Sequence, residues 1–193
     1  AGSLVGTFVP PLLSIPLIGT QRTLLATATL IAAAATLLLG LRWLIVALVI
    51  GGLIAIPPGA VKPTPGLIYE GESRYQFIRV VEEGDQRSLY LNEGYVVHSA
   101  WRADEVLTGG EWDMFLAVPA LLGRPAERVA MLGNAGGTTG RAFGVYYPVV
   151  EYDAVEIDPE VTAIATEYFG LRDNPRLNLV TADARPFLQS TGN

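Results

Sequence analysis

Glu156 (in AVEID), Asp183 (in TADA) and the glycines of GNAGGTTG at residues 133–140 have types and a spacing that can hold a ligand rich in hydroxyl and amino groups. Gly133, Gly136 and Gly137 leave backbone without side chains, so a cofactor can lie across the end of a strand. The helix that follows offers its free N–H groups, and Thr138 or Thr139 is expected to cap it. Glu156 follows this loop by about 20 residues, the separation at which a carboxylate accepts hydrogen bonds from the two hydroxyls of a ribose. Asp183 falls just past a later strand, where a carboxylate can accept from an adenine amino group. Plainer roles compete. Glu156 can be an exposed strand-end carboxylate and Asp183 a turn or capping residue. Asp158 is read as the N-cap of a helix starting at Pro159.

These residues need a frame that brings three strand ends together. Arg128 to Leu132 (RVAML) reads as a short buried strand, and Arg141 to Tyr147 as the start of a helix. Tyr152 to Ile157 is the next strand, Pro159 to Phe169 the next helix and Leu177 to Thr181 the third strand. Strand and helix alternate over about 55 residues, which predicts an α/β domain with a Rossmann-like parallel sheet. Upstream, Arg74 to Val81 and Ser88 to Asn92 alternate as strands about a turn at Glu83–Gln86, a β-hairpin. Asp113 to Leu122 reads as a helix interrupted by Pro119.

Charge divides the chain. No acidic residue precedes Glu70, and only Arg22 and Arg42 are charged before Lys62, so the first part carries +2 and the rest −8. The acidic part excludes nucleic acid as a partner, because phosphates need a basic face. The absence of cysteine excludes disulfides and cysteine-ligated zinc, and no metal is expected. Thr23 to Gly40 and Trp43 to Ile56 are uncharged and apolar, with a tight turn at Leu41-Arg42, and Ala1 to Ile18 is a third apolar segment bent by Pro10, Pro11 and Pro16. Residues 1–56 are therefore expected to form two to three transmembrane helices in contact with lipid. Residues 57–66, rich in proline and glycine, form a linker. Residues 67–127 hold the hairpin region, and 128–193 an incomplete Rossmann-like domain. The positive-inside bias of Arg22 and Lys62 over Arg42 places the acidic domain in the cytoplasm. The chain opens on Ala1 rather than Met and closes on Asn193 in mid-domain, so a longer parent is expected, with this portion inactive alone.

The runs ESRYQFIRVV, LYLNEG, HSAWRADEVLTGGEWD, VAMLGNAGGTTGRAFG, AVEIDPEV and TADARPFL stand in the order found in spermidine synthase-like proteins. The chain resembles the bacterial type of this polyamine aminopropyltransferase family, in which a membrane region precedes the synthase domain. The resemblance implies transfer of an aminopropyl group from decarboxylated S-adenosylmethionine to an amine such as putrescine. It implies that Glu156 holds the ribose and Asp183, with Ala184, the adenine, while Gln76 faces the sulfonium or amine side. The family's glycine motif carries an aspartate at the position matching Gly136, and its tyrosine after the Asp104-Glu105 pair has Thr108 and Gly109 near its place. A family glutamine is matched, one residue displaced, by His98, the single histidine and a candidate on the substrate side. A structural histidine is the plainer alternative. The family's catalytic aspartate is expected beyond Asn193. The departures leave two other readings open: a methyltransferase using intact S-adenosylmethionine, or a non-catalytic membrane protein that binds a nucleoside. Homo-oligomerisation also stays open.

Overall fold

A computed structural model describes residues 2–92, 94–123 and 125–191; Glu93 of LNEG and the closing Asn193 lie outside them. The chain divides into two compact units, Ala1–Pro63 and Thr64–Asn193, at a boundary inside the expected linker.

The first unit is helical. Helix α1 (Gly2–Val9) runs through a π-helical turn (Pro10–Ser14) into α2 (Ile15–Leu39). The expected bend is not at the prolines. Pro10 and Pro11 sit in the π turn and Pro16 in the first turn of α2, where a missing N–H costs little. The break falls at Gly19, whose φ of 80° and ψ of 165° no helix accommodates. Residues 20–39 then rise about 30 Å, one hydrocarbon thickness. The hydroxyls of Thr27, Thr29 and Thr36 donate back to carbonyls of their own helix at 2.6–2.9 Å, so they need no water. Gly40 (φ 99°) and a 3₁₀ turn (Leu41–Trp43) reverse the chain into α3 (Leu44–Leu53). This helix packs on α2, and a Cβ on Gly51 would meet Thr29 Cγ2 at 3.3 Å. Of the two to three spans expected, the helix lengths support one. Among the described residues, Gly2–Leu39 is the one helix long and apolar enough to cross a membrane, and Leu41–Leu53 is a shorter apolar helix. Gly51-Gly52 weaken the end of α3, and Pro57-Pro58 prevent its continuation.

The second unit is α/β, with two sheets. Strands β1 (Leu67–Glu72), β2 (Phe77–Glu83), β3 (Gln86–Leu91) and β4 (Val97–Arg102) form an antiparallel sheet in that order. The expected hairpin is its centre, pairing Ile78 with Leu91 and Glu83 with Gln86 around Gly84 (φ 63°). Two outer strands join it, and Arg74–Gln76 are not strand. There the Ser73 hydroxyl accepts the N–H groups of Tyr75 and Gln76, closing a local turn that competes with extension. A 3₁₀ stretch (Glu111–Ala117) leads into α4 (Val118–Leu121). Pro119 does not interrupt this helix but lies in its first turn.

Strands β5 (Arg128–Leu132), β6 (Glu151–Glu156) and β7 (Leu177–Thr181) then form a parallel sheet in that order. They alternate with α5 (Thr138–Tyr146), α6 (Pro159–Tyr168) and α7 (Ala184–Thr191). One core cluster packs Phe143 of α5 on Tyr152 and Ala154 of β6. The other joins Ile78, Val80 and Leu89 of the antiparallel sheet to Val161 and Ile164 of α6 and to Phe169. Buried Asp153 ties the parallel strands together: Arg128 of β5 donates to both its oxygens at 2.6 and 2.8 Å, and Asn178 of β7 donates at 3.0 Å. Trp101 of β4 has two guanidinium groups over its ring, Arg87 at 4.7 Å and Arg141 at 5.5 Å from the centroid.

Candidate functional site

The glycine loop turns the chain from β5 into α5. Gly133 (φ 77°) and Asn134 both donate their N–H groups to the Val155 carbonyl at 3.0 and 3.1 Å, fixing the loop to the neighbouring strand. Gly137 (φ 81°) is the N-cap of α5. Between them Ala135 adopts φ 47°, a left-handed conformation that an alanine takes only at a cost. Gly136 is pinned differently, with its N–H donating to Ser99 Oγ at 2.9 Å. The threonines do not cap α5 as expected. Thr138 Oγ1 exchanges hydrogen bonds with the N–H and C=O of Ala100, and Thr139 Oγ1 donates to the Trp112 carbonyl. Their hydroxyls instead join α5 to β4 and to the 3₁₀ stretch.

Glu156 is at the end of β6 and only 8% exposed. Its Oε2 accepts the N–H of Ala135 at 2.9 Å and its Oε1 that of Asp158 at 3.2 Å. The carboxylate is thus held against the glycine loop, and its remaining lone pairs can accept from hydroxyl groups. Asp158 caps α6, as read from the sequence, by accepting from Glu160 N. It has a second role that was not anticipated: its Oδ2 accepts from Ser73 Oγ at 2.5 Å and from Gln76 Nε2 at 3.2 Å. Gln76 therefore meets Asp158, two residues from Glu156. Nearby, Tyr69 donates to Glu160 Oε1 at 2.9 Å, and burial followed by this contact raises its phenol pKa above the usual range. Asp183 is exposed, and one of its oxygens accepts from Arg185 N at 2.8 Å, a cap for α7, which Ala184 opens.

His98 takes a different position, lining a cleft of about 170 Å³ beside the glycine loop. Its Nδ1 lies 3.0 Å from the Val96 carbonyl. Trp112, Phe115 and Met131 supply the apolar lining, with Gly133 and Asn134 at the loop. Ligand pockets of drug size run to about 300–1,000 Å³, so this cleft suits a short chain rather than a nucleoside. The fold thus brings Gly133, Gly137, Glu156, Asp158 and Gln76 to one end of the parallel sheet, with His98 across the loop. Sequence reasoning passed over Asn134 and Trp112, although Asn134 stood in plain view as the one polar side chain between Gly133 and Gly137.

Comparison with known proteins identifies relatives of this arrangement. No family model matches the chain. A probable polyamine aminopropyl transferase of Bifidobacterium longum is 34% identical over 154 residues, covering 76% of this chain and 34% of its own. A polyamine aminopropyltransferase of Vibrio vulnificus is 31% identical over 137 residues, covering 65% of this chain and 44% of its own. The chain thus matches less than half the length of these relatives. A solved probable spermidine synthase from Corynebacterium glutamicum shares the fold, with a TM-score of 0.54, 22% identity and coverage of 67% of this chain and 48% of that one.

Proposed function

We infer that this chain, which belongs to the polyamine aminopropyltransferase family, is part of a protein that transfers an aminopropyl group from decarboxylated S-adenosylmethionine to an amine such as putrescine. In that reaction an amine nitrogen attacks the methylene carbon beside the sulfonium. The carbon–sulfur bond breaks with its electron pair passing to sulfur, leaving 5'-methylthioadenosine, and the new ammonium gives up a proton. What this chain's residues contribute is binding and orientation. Glu156 takes the ribose hydroxyls, the loop at Gly133, Gly136 and Gly137 lies along the nucleoside, and Asp183 with Ala184 borders the adenine. Gln76 steadies this side through Asp158, and His98 lies on the amine side. The observation that carries the reading is the Glu156 carboxylate, fixed by two backbone N–H groups against the glycine loop.

Calorimetry with 5'-methylthioadenosine on the full-length protein in detergent tests it. Glu156→Ala removes charge-assisted contacts and should weaken binding by roughly 1.5–3 kcal/mol, about ten- to a hundredfold. An unchanged affinity in the variant disposes of the ribose assignment.

One observation favours a second reading. Without a carboxylate at Gly136, nothing at that position repels the amino-acid end of intact S-adenosylmethionine, so a methyltransferase remains the alternative. In either case the apolar unit serves as a multi-pass anchor, with the gap at Gly19 ending one segment and α3 returning along α2. The positions of Arg22 and Lys62 relative to Arg42 favour an acidic domain on the cytoplasmic side.

A further inference from the structure

We propose that Asn134 is the specificity-determining residue of the cleft, its side-chain carbonyl accepting a hydrogen bond from the nitrogen of a short aliphatic amine. The proposal rests on the aminopropyl-transfer reading and identifies the group that recognises the acceptor. Asn134 is 7% exposed, and its Oδ1 has no hydrogen-bond partner among the described residues. A buried amide oxygen left so costs about 1–3 kcal/mol, which a ligand N–H would recover. Asn134 is among the residues that line the cleft, and the hydroxyls there are committed elsewhere. Thr138 is bonded to Ala100, Thr139 to Trp112 and Ser99 to the His98 carbonyl.

Position 136 cannot supply the acceptor. A Cβ there would lie 2.6 Å from Ser99 Cβ and 2.9 Å from its Oγ. The carboxylate in the lining, Glu111, is on an exposed residue at the rim. The buried acceptor is therefore neutral, and the walls beside it are Trp112, Phe115 and Met131. Such a site favours a nitrogen donor on a short apolar chain. A neutral amide also leaves an amine its uncharged form, which a carboxylate would disfavour by stabilising the ammonium.

The test is separate titration of the full-length protein in detergent with 1,4-diaminobutane and with 5'-methylthioadenosine. Asn134→Ala should weaken diamine binding about tenfold and leave nucleoside binding within about twofold. Asn134→Asp, nearly isosteric, should strengthen diamine binding and make it fall with added salt, a response that a merely structural residue would not produce. Unchanged diamine affinity in Asn134→Ala overturns the proposal, as does an equal loss of both ligands or a wild-type protein that binds the nucleoside but no diamine. A wild-type protein that binds the diamine through Asn134 but no nucleoside upholds the proposal and overturns the aminopropyl-transfer reading.

Discussion

Ser99 and Gly136 are 37 positions apart in the chain, yet the hydroxyl of one receives the N–H of the other. The absence of a side chain at 136 is readable from sequence, but its cause is not, because the space belongs to a residue on β4. This gives a prediction that sequence alone would get wrong. Gly136→Asp should not simply restore an acid to the loop. The Cβ would stand 2.6 Å from Ser99 Cβ, and such overpacking costs typically 1–3 kcal/mol. Denaturant melts should show this loss in the single variant and recovery of much of it in Gly136→Asp with Ser99→Gly, since residues in contact are not additive. The strand-end place of Glu156 and the left-handed turns at Gly133 and Gly137 were legible because both are local properties. The threonines were misread for the opposite reason, as Thr138 finds its partner in Ala100, 38 positions away.

The parallel strands and their helices follow from local pattern: short apolar runs, each ending at a turn, alternate with helical spacing. The outer strands β1 and β4 escaped because LIYEGE and VHSAWR mix apolar and polar residues without strict alternation, and only pairing with β2 and β3 makes them extended. The Asp153 contacts across β5, β6 and β7 set how this sheet responds to acid. Hydrogen bonding from Arg128, opposed by burial and aided by Asn178, holds its carboxyl pKa below the usual value. A depressed folded-state value means that the contribution is complete above the ordinary carboxyl pKa of about 4 and is lost as pH falls through the folded value. Thermal melts from pH 6 downward should therefore show a drop below about pH 4 that is smaller in Asp153→Asn. An identical acid profile in the variant would assign the drop to other groups.

The chain as a whole joins two units with opposite solvent preferences. Large apolar side chains stand exposed along the first, with Leu37 and Leu38 each at 88%, while every acidic residue belongs to the second. That division was legible because charge and apolar runs are summed along the sequence. The number of spans was not, since it depends on where helices break. Proteolysis within the proline-rich residues 57–66, followed by detergent phase separation, should send the acidic fragment to water and the apolar fragment to detergent. Both fragments remaining in the aqueous phase would contradict the anchor.

The two cations over Trp101 have a spectroscopic consequence. The guanidinium groups of Arg87 and Arg141 both lie over its indole, and the adjoining Ala100 is bonded to Thr138 at the start of α5. Arg141 belongs to α5, the helix that the glycine loop opens, so a ligand that shifts the loop together with α5 should move this cation relative to the indole. With Trp43 and Trp112 replaced by phenylalanine, Trp101 emission should therefore serve as a built-in optical probe of the loop, with no attached dye.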